Sequence, residues 1–134
     1  MAQQVLGQGP GNLVPDSETR MFLANGAVVK GDVLTVLTNG YTVDQCSTIL
    51  PGLVVAKESG TDVWIECVVG GFCDFITNDG TDIVANDLLY SGAGVAVPLA
   101  LGTDIGVQGG GCFGMSLQAQ TGTTITAAII FKRV

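Results

Sequence analysis

The chain has 134 residues, of which 47% are hydrophobic and only 13% charged, against about 25% charged residues in an average soluble domain; it fits one domain with one core, and it has too little charge to coat a monomer. Five Lys and Arg against twelve Asp and Glu give 5 − 12 = −7, which argues against direct nucleic-acid binding, because phosphate backbones require clustered cations. The most apolar stretch, Gly94 to Leu101, is eight residues long and contains Pro98, so nothing reaches the ~20 apolar residues of a spanning helix; Met1 to Gln4 show neither the basic region nor the apolar core of a secretory signal, and the expectation is a protein made in the cytoplasm.

Residues 1 to about 20 hold Gly7, Gly9, Pro10, Gly11 and Pro15 among the isolated apolar residues Val5, Leu6, Leu13 and Val14, without a sustained period. This reads as an extended N-terminal arm, either a disordered terminus or one that orders on a neighbouring subunit. From Met21 onward, short β-branched runs alternate with turn residues, the pattern of an all-β sandwich or barrel. Val33 to Thr38 and Tyr41 to Asp44 flank Asn39-Gly40, a hairpin signal for a type I′ turn. Leu53 to Ala56 and Thr61 to Val69 flank a turn at Lys57 to Gly60. Phe72 to Thr77 leads through Asn78-Asp79-Gly80 into Asp82 to Ala85. Leu88 to Ser91 pairs with Val95 to Leu99, and Cys112 to Ala119 with Thr123 to Phe131. The runs Val63 to Val69 and Ile125 to Phe131 are apolar at nearly every position, whereas a strand with one wet face alternates. Their second cover is expected to be another subunit.

Two segments recur. Gly52 to Val63 lines up with Gly114 to Ile125, sixty-two positions later, and Val28 to Leu34 with Ile83 to Leu89 at an offset of fifty-five. Repeats of this kind point to one unit used twice. The expected architecture is a small β-barrel or sandwich built from two pseudo-repeated halves, about 27–69 and 82–131, within a single β domain 21–134 that follows the arm 1–20.

Chemistry is scarce. Imidazole is the usual general acid or base at neutral pH, and the chain contains no His; no enzymatic activity and no cofactor are expected. The four cysteines, Cys46, Cys67, Cys73 and Cys112, lack metal-site spacing and read as small buried hydrophobes. Asp74, Asp79 and Asp82 cluster around a turn, but Asp-Gly turns form readily without calcium. Trp64, the single tryptophan, lies mid-strand and reads as a core or interface filler. Lys30 and Lys57 raise the alternative of a lipoyl- or biotin-type carrier domain, from whose tip pattern Lys57-Glu58 departs.

The succession Lys30-Gly31-Asp32-Val33-Leu34, Gly52 to Ala56, Asp74 to Gly80, Asn86-Asp87-Leu88-Leu89-Tyr90 and a closing Thr-Gly hairpin resembles the capsid cement, or decoration, proteins of tailed bacteriophages over about residues 21 to 131. The resemblance implies a virion protein made in the host cytoplasm. It would bind the major capsid protein on the outer face of an icosahedral head, as a homotrimer at three-fold and quasi-three-fold positions, and brace the shell against internal DNA pressure. Candidate contact residues are Val5, Leu6, Leu13 and Val14 in the arm, with Met21, Phe22 and Trp64. A fibre or spike base domain of a virion is the alternative structural role. Asn86 departs from the family's commoner Gly before Asp87.

Overall fold

The computed structural model describes residues 17–45, 53–92, 94–98, 112–122 and 124–132. These form β1 (Glu18–Ala24), β2 (Ala27–Val28), β3 (Val33–Val36), β4 (Thr42–Gln45), β5 (Leu53–Ala56), β6 (Gly60–Thr61), β7 (Trp64–Thr77), β8 (Leu88–Gly92), β9 (Val95–Pro98), β10 (Gly114–Ser116) and β11 (Ile125–Ile130). The fold is all-β, as the turn spacing and β-branched runs require. β1 therefore starts inside the stretch read as arm.

Nine strands make one sheet in the order β1-β4-β3-β5-β7-β11-β10-β8-β9, and β2 pairs with β6 as a separate ribbon. β1 also runs antiparallel to β7, from Glu18↔Gly70 to Leu23↔Trp64, so the first five strands close into a barrel. Closure removes the unpaired edges that invite aggregation. β7 is 14 residues long. Its first half walls this barrel, and its second half, Gly71 to Thr77, pairs with β11. From there β11, β10, β8 and β9 follow, and the parallel bridge Asn78↔Ala96 brings β9 back to the end of β7.

The two halves repeat bond for bond. Val29 N–H donates to Asp32 Oδ2 (2.9 Å) while Asp32 N–H donates to Val29 O (3.0 Å); Val84 and Asp87 make the same exchange at 3.0 and 3.3 Å. Each turn is then clamped to a strand: Gly31 N–H to Ala56 O and Ala56 N–H to Asp32 O, matched by Asn86 N–H to Ser116 O and Ser116 N–H to Asp87 O. The turn offset is the fifty-five of the sequence. The strand offset is sixty rather than sixty-two, since Ala56 matches Ser116 and not Gln118. The ribbon pair Val28↔Gly60 recurs as Ile83↔Gln120, and the parallel pair Ala24↔Val43 as Asn78↔Ala96. By this register the second half of β7 corresponds to β1.

Alternation along the strands sorts the side chains. Phe22, Leu34, Val43, Val54, Ile65 and Cys67 point into the first barrel and form one core. Their neighbours Val33, Leu53, Val55 and Val68 point outward, yet are at most 2% exposed because they share a second core with Ile76, Ile83, Leu89, Phe113 and Ile130 of the other half. Two cores thus replace the single one expected. The expectation that another subunit provides the second cover is corrected for the Val63 to Val69 run only: around Val68 that cover is the chain's own second half. Each such side chain contributes about 1.5–3 kcal/mol on burial.

Three further expectations differ. Val63 to Val69 and Phe72 to Thr77 are one strand, because Gly70 and Gly71 stay in the ladder. Asp82 to Ala85 is no strand but the single bridge Ile83↔Gln120. The Asn39-Gly40 reversal is not type I′: Gly40 alone is left-handed (φ +81°), its N–H donates to Leu37 O, and Asn39 Oδ1 accepts from the N–H groups of Tyr41 and Thr42. Leu37 N–H donates to Thr42 O, which sets a loop two residues wider than a two-residue hairpin.

Candidate adhesion surface

Several chemistry-bearing side chains among the described residues are occupied structurally. Cys67 and Cys73 are free thiols in the cores; burial pushes Cys67 up to about 12, with Glu58 and Glu66 adding to it, and pushes Cys73 up to about 11. Both stay protonated at neutral pH, so they are poor nucleophiles and poor metal ligands. Cys112 is buried and carries no disulfide, and Cys46 lies outside the described residues. Asp79 Oδ1 accepts from Thr81 N–H within its own turn, and among the described residues no group of three His, Cys, Asp or Glu is placed to hold a metal. Lys30 Nζ lies 5.0 Å over the Phe75 ring, and Lys57 Nζ is 3.6 Å from Glu66. Neither lysine stands at a bare tip as a carrier lysine does.

What remains is apolar surface. On the outside of the first barrel, Leu23 of β1 stands opposite Trp64 of β7, and Met21 opposite Glu66. Tyr41 enters from the β3–β4 loop and stacks on Trp64, ring centroids 6.0 Å apart and planes 26° apart. Met21, Tyr41 and Trp64 are each about half exposed, at 53%, 49% and 53%. Aromatic rings lose few rotamers on contact and supply much area, which is why they anchor interfaces. Glu66 borders the patch with its carboxyl held below the usual range, first by the Thr19 hydroxyl (2.7 Å), against the opposing effect of desolvation, and then by Lys57. The patch is therefore an aromatic centre with a fixed polar border. Such a patch offers area for contact.

Among the residues singled out from sequence, Met21 and Trp64 lie together on this patch. Phe22 does not: it is fully buried in the first core, because adjacent residues of a strand take opposite faces. Val5, Leu6, Leu13 and Val14 lie outside the described residues. Tyr41 and Leu23 were missed; Tyr41 directly follows the Asn-Gly turn, and only the loop's extra width turns it toward Trp64.

Comparison with known proteins gives a fold and little more. No sequence-family model matches the chain, and no curated protein does. Among solved structures the chain is similar to the head fiber gp8.5 N base of bacteriophage phi29, with a TM-score of 0.61 and 14% sequence identity over 89% of this chain and 98% of that one. At that identity the likeness establishes a shared all-β architecture spanning nearly the whole of both chains.

Proposed function

We propose that the chain is a structural protein of a phage virion that works by adhesion to the head. The observation that carries this reading is the near-complete structural match to the base of a phage head fiber, reached independently of the sequence resemblance to capsid decoration proteins. The available chemistry agrees: buried neutral thiols, no His, and an exposed Tyr41–Trp64 patch.

The specific role we favour is decoration. The protein binds the major capsid protein on the outer head surface, as a homotrimer at three-fold and quasi-three-fold positions, and stabilises the shell. Avidity over several shell subunits would replace any single strong contact. A fibre base is the second reading, and the phi29 neighbour is the observation that favours it. Cryo-electron microscopy of heads incubated with the protein separates the two: decoration predicts density at every equivalent shell position, a fibre base at a small subset. Absence of bound density from all heads would remove both readings. Deleting residues 2–15 should leave the β domain folded by circular dichroism while weakening attachment; undiminished retention on sedimented heads would exclude a role for the arm.

A further inference from the structure

The internal repeat shows how one half of this chain holds the other, and it leaves each side of that contact with an unused counterpart. In the contact, Thr77 N–H donates to Gly31 O (3.0 Å), Val33 N–H donates to Gly94 O (2.8 Å), and Phe75 packs on the core that contains Val33, Val55 and Val68. By the repeat register Phe75, Thr77 and Gly94 correspond to Met21, Leu23 and Tyr41; on the first half Met21 and Tyr41 are about half exposed and Leu23 is partly buried. Val33, Val55 and Val68 correspond to Leu88, Met115 and Ile129. The three valines are at most 1% exposed, whereas Leu88, Met115 and Ile129 are only half-buried.

We propose that a second copy of this chain docks here head to tail, its Met21–Leu23–Tyr41–Trp64 surface seating on the Leu88–Met115–Ile129 surface of its neighbour. The contact continues an interface the chain already makes once inside itself. The two surfaces differ, so the association is heterologous and either closes into a ring or extends as a filament. Asn86 occupies the place of Gly31, where an added side chain would meet Phe75 O at 2.6 Å. The copy-to-copy contact is therefore displaced from the turn toward Met115 and Ile129, and weaker than the internal one.

Sedimentation equilibrium of the full chain, with Trp64 emission followed over the same concentrations, tests this without any virus particle. The expected result is self-association below about 100 µM with a blue shift of Trp64. Met21→Asp/Trp64→Asp and Met115→Glu/Ile129→Asp should each run as monomers alone and form heterodimers when mixed, since each keeps the surface the other lacks. Leu88→Glu, on the same surface and partly exposed, serves should the Met115/Ile129 variant misfold. A monomeric wild-type chain overturns the proposal. So does association lost in the Trp64 variant but kept in both second-surface variants, which would mean patch-to-patch pairing. The inference does not rest on the virion reading: a monomer that still decorates heads would overturn this inference and the homotrimer, and leave adhesion to the head standing.

Discussion

Gly31 and Asn86 hold equivalent left-handed positions, at φ +95° and +70°, and the difference between them follows from what each faces. A Cβ at Gly31 would meet Phe75 O at 2.6 Å and Thr77 Oγ1 at 2.7 Å, whereas Asn86 is exposed, and Asn tolerates this conformation. Gly31→Ala should therefore cost about 2–4 kcal/mol in a urea titration, and Asn86→Ala at most about 1 kcal/mol; equal losses would contradict the assignment of Gly31 to the contact between halves. Thr126 and Asn78 stand where the first barrel has Ile65 and Ala24, and Thr126 Oγ1 and Asn78 Nδ2 are buried without hydrogen-bond partners. Thr126→Val keeps the shape and removes an unpaired hydroxyl, so it should stabilise the fold by about 1 kcal/mol. A loss of stability of that size would show that the hydroxyl is paired in solution.

β7 shows most clearly what the sequence discloses and what it does not. Its β-branched runs on either side of Gly70-Gly71 mark strands without ambiguity, but a Gly pair also marks breaks, and it is the pairing of Gly70 with Glu18 and of Gly71 with Ile130 that keeps the ladder running. The apolar texture of Val63 to Val69 indicates cover on both faces, which holds only at Cys67 to Val69; Val63 and Trp64 are half exposed. It cannot say whose atoms provide the cover, because a residue pattern records burial and not the identity of the neighbour. The match of Val28 to Leu34 with Ile83 to Leu89 is legible through its shared Asp, but the capped turn it encodes is not: the texture of Asp82 to Ala85 reads as a strand, and only the Asp32 and Asp87 side-chain bonds show two equivalent turns. The patch was half legible: Trp64 and Met21 are conspicuous, while Tyr41 reaches them through a loop geometry that Asn39-Gly40 alone does not encode. β7 also carries Cys67 and Cys73, whose raised values bear on alkaline stability. The unfolded thiols ionise near 9.0, the folded ones at about 12 and 11. The native state thus holds protons the unfolded state has lost, and this contribution, complete below pH 9, declines as pH rises toward 11–12. Each thiol should remove about 1.4 kcal/mol per pH unit in that window. Native protein at pH 8 should leave both thiols unreactive toward a disulfide reagent until denaturant is added; rapid reaction of both would contradict their burial.

The described molecule is a pair of related β units joined by one long strand, with an aromatic patch left outside. The proposed adhesion is tested most directly by co-sedimentation of the purified chain with tailed-phage heads, read as bound copies per head against free concentration. A virion structural role predicts saturable binding at a stoichiometry fixed by the shell. A chain left wholly in the supernatant at every concentration would contradict it.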